Sequence, residues 1–300
     1  MKKTHVVIPT PVTLHLFQRG ASIRDPIALP YYACLIIPTP HKGGLYHFPD
    51  GEVYLRIPNL TGAKKVTVVH SGYPYPNAGL IELYMTLEIV RATATVKEIE
   101  IIFTSMPYAR QDTVRQDGEV AMAEALIARL INDYGVSKIT TIDAHFAGEK
   151  WVKKYPLVNV SALSILIDEA RCDYGNDIFF ITPDAGSARR THIKGAHKDR
   201  HNSYEVSIDF GKEDLAHILK KKRVIGVVDD ILSTGGTLEK FLETLRRKGV
   251  KSTVIALITH GVNADGVERV RRLYDHLYIT NTINCPGVNV SVVRLLNTLI

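Results

Sequence analysis

From residue 66 onward, short apolar runs rich in β-branched residues alternate with longer stretches in which apolar positions recur every three to four residues. The short runs are 66–69, 99–103, 139–142, 178–181, 224–228, 254–258 and 277–279. Apolar and β-branched residues predominate in each without a strict polar alternation, the pattern of a strand buried on both faces in a parallel sheet. Between them, 78–94, 118–134, 161–170, 237–248 and 265–273 set charges opposite an apolar stripe and predict amphipathic helices. Strands and helices in alternation predict an α/β fold of doubly wound parallel sheets with helices on both faces.

A chain of 300 residues exceeds one ordinary domain, about 100–150 residues, so two such sheets are expected. A polar stretch at 149–156 interrupts the alternation, and Pro156 disfavours helix at the residue before it. The boundary is placed there, giving domains 1–150 and 151–300. Ahead of His47 the chain is rich in proline and in turn residues, at 18–22 and 38–44, and no topology is assigned to it.

Composition narrows the chemistry. The formal charge is +6, with Lys and Arg spread along the whole chain and no cluster interleaved with aromatics, which argues against a nucleic-acid surface and suits small anionic ligands. Cys34, Cys172 and Cys285 are far apart and lack CxxC spacing, so neither a disulfide framework nor a zinc site is suggested and the chain reads as cytoplasmic. The apolar run after Met1 breaks at Pro9 and Pro11, too short for a signal or a membrane span, and no membrane anchor is expected.

The segment 227–238 reads Val-Val-Asp-Asp-Ile-Leu-Ser-Thr-Gly-Gly-Thr-Leu. An apolar strand ends in Asp229 and Asp230, then turns through Gly235 and Gly236 into a helix. Such a turn aims amide N–H groups and hydroxyls at an anion, and the helix N-terminus adds favourable partial charge. Ser233, Thr234, Gly235, Gly236 and Thr237 are therefore the candidate phosphate site. Asp229 and Asp230, just upstream, are placed to accept hydrogen bonds from sugar hydroxyls, which a phosphate cradle alone would not need. Phosphate beside a vicinal diol points to a ribose phosphate.

This segment resembles the phosphoribosyl pyrophosphate-binding motif of the type I phosphoribosyltransferase fold, carried both by transferases that consume that compound and by synthetases that make it. Other segments resemble the synthetases, the ribose-phosphate pyrophosphokinases. The run from His47 to Ile57 is similar to their Phe-x-Asp-Gly-Glu segment, which implies that Phe48, Asp50 and Glu52 bind the adenine of ATP, often across a subunit interface. Ser105 to Asp112 is similar to their Pro-Tyr-x-Arg-Gln-Asp segment, implying that Arg110 and Gln111 grip ATP; a guanidinium and an amide at a strand end suit polyphosphate and base. Thr141-Ile142-Asp143-Ala144-His145 resembles the family's Asp-Leu-His, with Ala144 in place of Leu, and implies that His145 holds the metal-bound nucleotide. Thr182-Pro183-Asp184-Ala185-Gly186 resembles the turn beside the ribose 5-phosphate site and implies a metal-linked role for Asp184.

Lys198-Asp199-Arg200 resembles the Lys-x-Arg of the synthetases' catalytic loop. Alternate residues of an extended segment point the same way, so Lys198 and Arg200 can converge on one phosphate chain and are the candidate catalytic pair. Thr259-His260-Gly261 and Thr280-Asn281-Thr282-Ile283 extend the resemblance, which covers His47 to the C-terminus. Three departures stand out: residues 1–46 lack the family's usual short strand, Ser-rich turn and helix; residues 118–122 replace its Glu-Pro-Ile-Ser; and Ser233 stands where many synthetases have Asp.

The resemblance implies two phosphoribosyltransferase-type domains, with ATP on the first and ribose 5-phosphate on the second, Mg²⁺ as cofactor, and a homo-oligomer that is a dimer or a multiple of dimers. It implies transfer of the diphosphoryl group of ATP to C1 of ribose 5-phosphate, giving phosphoribosyl pyrophosphate and AMP. The rivals are a phosphoribosyltransferase that uses phosphoribosyl pyrophosphate and a non-catalytic regulatory relative. The first leaves the segments around Phe48 and Arg110 unexplained, and the joint presence of Lys198, Arg200, Asp229 and Asp230 argues against the second. No GxxxxGK[ST] occurs, which disfavours a Walker-type kinase.

Overall fold

The computed structural model describes residues 4–17, 29, 33–183 and 224–300, together with the backbone of two short strands at His197–Arg200 and Val206–Asp209. Contacts divide the chain into two compact units: Met1–Val160 with Thr282–Asn284 and Ser291–Ile300, and Ser161–Asn281 with Cys285–Val290.

The first unit contains strands β1 (His5–Pro9), β2 (Ala33–Leu35), β3 (Lys65–Ser71), β4 (Glu98–Ser105), β5 (Lys138–Ile142) and β6 (Leu157–Val160), and helices α1 (Pro76–Arg91) and α2 (Met122–Asn132). The strands form one sheet in the order β2-β1-β3-β4-β5-β6, with every neighbouring pair parallel. Val68 and Val69 of β3 and Ile101, Ile102 and Phe103 of β4 are buried at consecutive positions, as cover on both faces requires. Leu83 and Leu87 of α1 and Leu126 and Leu130 of α2 join Val66, Val68, Ile101 and Ile139 in one core. Each such side chain contributes about 1.5–3 kcal/mol by leaving water.

The strand order reverses between β1 and β3, the place where open α/β sheets form a crevice at their carboxyl ends. Polar side chains and a 3-10 turn, Pro11–Leu16, gather at this point. Thr10 Oγ1 and His70 Nδ1 are hydrogen-bonded at 2.8 Å, and burial pushes the His70 pKa down to about 3, so its ring is neutral. Glu82 of α1, 7 % exposed, accepts the Val12 N–H, and burial pushes its carboxyl up to about 7.

Two expectations change here. Residues 1–46, which read in the sequence as lacking the family's usual short strand, supply β1 in the interior of the sheet and β2 at its edge. A boundary at 150/151 falls at the start of a second 3-10 turn, Lys150–Lys154, whereas the compact units divide at Val160/Ser161. The reason is β6, which pairs with β5 as an edge strand of the first sheet.

The second unit contains α3 (Leu163–Tyr174), β7 (Ile178–Ile181), the antiparallel pair β8 (His197–Arg200) and β9 (Val206–Asp209), β10 (Val224–Leu232), α4 (Gly236–Arg247), β11 (Val254–Gly261), α5 (Ala264–Leu273) and β12 (His276–Ile279). A final helix, α6 (Val293–Leu299), belongs to the first unit. β12, β11, β10 and β7 form a parallel sheet in that order. Leu166 and Ala170 of α3 pack with Val228, Ile255 and Leu257 on one face. Val254, Ala256 and Ile258, the alternate positions, are as fully buried, and α5 lies against β11 and β12. The free edge of β12 is covered by Asn289, whose side chain accepts from Ile279 N at 2.8 Å and donates to Leu277 O at 2.9 Å. No helix among the described residues is long and apolar enough to cross a membrane.

Candidate functional site

The candidate phosphate turn grows out of β10. Asp229 is half-buried and Asp230 is 4 % exposed, and the Asp230 N–H donates to Asp229 Oδ1 at 3.0 Å, which fixes the Asp229 carboxylate against the strand. Leu232 ends the strand, and Ser233 and Thr234 lead into Gly235, whose φ of 81° is left-handed and favours glycine. α4 starts at Gly236 without a side-chain cap. Its first amides, at Gly236, Thr237 and Leu238, have no carbonyl one turn earlier to bond, and the helix dipole adds positive potential there. Thr234 and Thr237 are exposed and Ser233 is half-buried.

α5 supports this turn from the side. A Cβ at Gly235 would stand 3.1 Å from Val270 Cγ2, and one at Gly266 would stand 1.6 Å from Ser233 O. Tyr274, just past α5, donates its hydroxyl to Leu238 O at 2.8 Å. Burial, and then the nearby Asp229 charge, push the Tyr274 hydroxyl well above its ordinary pKa, so it remains a donor. Arg269 of α5 lies 3.5 Å from Glu239 in the first turn of α4.

In the first unit, the carboxyl ends of β4 and β5 carry Arg110, Gln111 and His145. A Cβ at Gly72 would stand 2.5 Å from Pro107 N, so the backbones leaving β3 and β4 touch. Beyond Pro107, Tyr108 adopts a φ of 58°, and the Gln111 N–H donates to Tyr108 O at 2.9 Å, closing a turn with Arg110 and Gln111 exposed. The Gln111 carbonyl accepts from Ala123 N at 3.0 Å in the first turn of α2. Arg110 lies close enough to Tyr73 for its charge to oppose the upward push of burial on that hydroxyl. Asp143, with φ 40°, turns the chain after β5, and Asn159 Oδ1 accepts from Ala144 N at 2.8 Å and Thr141 Oγ1 at 3.0 Å. His145 follows, half-buried.

Phe48, Asp50 and Glu52 form a separate feature, the tip of a hairpin. Gly51 N donates to Phe48 O at 2.9 Å, Phe48 N donates to Glu52 O at 2.7 Å, and Gly51 has φ 93°. Asp50 Oδ1 accepts the Glu52 N–H at 3.1 Å, so one oxygen of that carboxylate holds the turn. The Phe48 ring meets His41 and Tyr54 edge-on at centroid distances of 5.2 and 5.6 Å. Both carboxylates are exposed.

The structure thus gathers Asp229, Asp230 and 233–237 at one strand end of the second sheet, and Arg110, Gln111 and His145 at neighbouring strand ends of the first. Phe48, Asp50 and Glu52 make their ring contacts and hydrogen bonds within their own hairpin. Asp184 lies outside the described residues, and of Lys198 and Arg200 only the backbone of β8 is described, opposite Ile208 and Val206. Sequence reasoning missed Gly266, Tyr274 and Asn159. The one signal available was a glycine within the helical period of 265–273, where a small residue marks close approach.

The N-terminal domain of ribose phosphate pyrophosphokinase matches residues 38–135, and the phosphoribosyl transferase domain matches residues 188–293. Ribose-phosphate pyrophosphokinase of Pyrococcus furiosus is 32 % identical over 262 residues, covering 84 % of this chain and 90 % of the relative. That of Thermococcus kodakarensis is 30 % identical, covering 82 % and 87 %, and that of Campylobacter jejuni is 29 % identical, covering 80 % and 79 %. The crystal structure of phosphoribosylpyrophosphate synthetase from Mycobacterium smegmatis shares the fold, with a TM-score of 0.72 at 22 % identity over 99 % of this chain and 97 % of that one. With a parallel α/β sheet in each half and relatives at this identity aligned along most of its length, the chain belongs to the ribose-phosphate pyrophosphokinase family.

Proposed function

We propose that the protein transfers the diphosphoryl group of ATP to the C1 hydroxyl of ribose 5-phosphate, forming phosphoribosyl pyrophosphate and AMP. The observation that carries this reading is the end of β10. Two carboxylates suited to a ribose diol stand near the end of the strand before a glycine turn and a helix N-terminus suited to a phosphate, with Ile231 to Thr234 between them and Gly235, in a member of this family.

In this reading the amides and hydroxyls of Ser233–Thr237 hold the 5-phosphate, and Asp229 and Asp230 accept from the ribose hydroxyls. Arg110 and Gln111 hold the nucleotide with His145, and Phe48, Asp50 and Glu52 contact adenine from a partner subunit of a homo-oligomer. The O1 atom attacks the β-phosphorus in line; the O1–P bond forms as the O1 proton passes to solvent, the bond from the β-phosphorus to the α–β bridging oxygen breaks, and AMP leaves with that oxygen. Positioning and cationic charge do most of the work in such transfers, and Lys198 and Arg200 supply that charge.

Among the described residues no group of three or more His, Cys, Asp or Glu could by itself hold a metal ion. Mg²⁺ keeps several waters and is bound through substrate phosphates and one or two protein groups, and His145 and Asp184 would hold it here. When bound with the nucleotide it neutralises charge on the phosphate oxygens. The three cysteines, all free, accord with a cytoplasmic setting.

The test is incubation with Mg²⁺-ATP and ribose 5-phosphate, followed by separation of the nucleotides. AMP and phosphoribosyl pyrophosphate are expected in equal amounts, with activity lost on adding a chelator. ADP as the primary product, or no AMP, overturns the reading.

A further inference from the structure

Gly266 stands in the first turn of α5, and a Cβ there would meet Ser233 O at 1.6 Å, Ser233 C at 2.8 Å and Thr234 C at 3.0 Å. All three atoms are backbone, so no side-chain rotation relieves the overlap. Either the helix or the turn must give way. The helix is the better held of the two: Asn263 Oδ1 accepts the Gly266 N–H at 2.9 Å, Val267 and Val270 are buried, and Tyr274 ties its far end to Leu238 O. The turn also rests on α5 at its next residue, since a Cβ at Gly235 would lie 3.3 Å from Gly266 O.

Peptide planarity gives this contact its consequence. The Ser233 carbonyl and the Thr234 N–H are opposite ends of one rigid plane, so whatever fixes the first fixes the direction of the second. Resting on the assignment of Ser233–Thr237 to the 5-phosphate, we propose that Gly266 is a positioning residue for ribose 5-phosphate, holding the Ser233–Thr234 peptide in the orientation that aims the Thr234 amide at the phosphate. Gly266 touches no substrate. It acts by the absence of a side chain, and any added atom turns the amide away from its ligand without altering groups that hold ATP.

Gly266→Ala and Gly266→Val test this, with thermal unfolding, KM for each substrate and kcat measured beside the wild type. The alanine variant is expected to raise KM for ribose 5-phosphate about tenfold or more, since displacing a binding group by about 1 Å costs up to ~100-fold. Valine should raise it further, while KM for ATP stays within about twofold in both. A general loss of structure would raise both constants together, and that result, or a ribose 5-phosphate KM within about twofold of wild type in the folded alanine variant, overturns the proposal. Should Gly266→Ala give no cooperative melt, Asn263→Ala decides, because it loosens the same helical turn without adding atoms. A selective rise of about threefold or more in the ribose 5-phosphate KM supports the proposal, and an unchanged value overturns it. Absence of AMP formation by the wild type sinks the functional reading itself, an outcome distinct from wild-type constants in the variants.

Discussion

Thr104 Oγ1, near the end of β4, donates a 2.8 Å hydrogen bond to the backbone carbonyl of Thr282, and both residues are 0 % exposed. The bond fastens the late segment Thr282–Asn284 to the sheet of the first unit. Thr104→Val keeps the shape and removes the donor, withdrawing a hydrogen bond from a carbonyl that water does not reach. A loss of about 1–3 kcal/mol is expected, read as a lower urea midpoint at unchanged slope. An unchanged midpoint would show that the bond contributes nothing net.

Glu82 predicts a pH dependence of unusual sign for a carboxylate. Burial raises its folded pKa from 4.5 to about 7, so between those values the native protein holds a proton that the unfolded chain has released. Native stability from this group therefore falls as pH rises through that window, and the full penalty stands above pH 7. Glu82→Gln removes the titration and can still accept the Val12 N–H. The variant should gain on the wild type by about 2–3 kcal/mol between pH 4.5 and pH 8, measured by urea unfolding across that range. Parallel stability curves for the two proteins would show that Glu82 titrates as an ordinary exposed acid.

Asp229→Asn and Asp230→Asn are expected to weaken use of ribose 5-phosphate more than use of ATP. Each lost charged hydrogen bond costs about 1.5–3 kcal/mol, about ten- to a hundredfold in KM for the sugar. Because Asp230 is 4 % exposed and Asp229 is half-buried, Asp230→Asn should also lower the melting temperature. Unchanged kinetic constants in both variants would remove the sugar role.

Lys198→Ala and Arg200→Ala should each lower turnover about a hundredfold or more while leaving equilibrium binding of both substrates largely intact, because their charge matters most in the transition state. Normal kcat at saturation with a raised KM would move the pair from catalysis to binding.

What the sequence made legible follows from where the physics is local. Strands β3, β4, β5, β10 and β11 announce themselves because burial on both faces forces consecutive apolar residues. β1 was hidden by Pro9 and Pro11, which read as loop, although Pro9 only closes the strand. β6 was hidden because its edge position leaves Val158 and Asn159 exposed and breaks the apolar run. α2 begins at Met122 rather than at 118, since Gly118 has φ 84° and Glu119 turns back to accept the amides of Arg115 and Gln116. The candidate phosphate turn could be singled out because its acids, hydroxyls and glycines are contiguous. Its buttress was not, because Gly266 meets Ser233 only after β11 has been laid down between them.

The return of the chain to the first unit at Thr282–Asn284 and Ser291–Ile300 limits how the protein can be recombined. A hybrid that joined residues 1–160 to the remainder of a relative would carry the donor's α6 into a core shaped by the recipient, where Val293 and Leu296, 1 % and 0 % exposed, must fit partners selected alongside them. A viable graft of the second unit therefore keeps the recipient's own last ten residues and its 282–284 segment, transplanting an interrupted stretch of chain rather than everything beyond one cut.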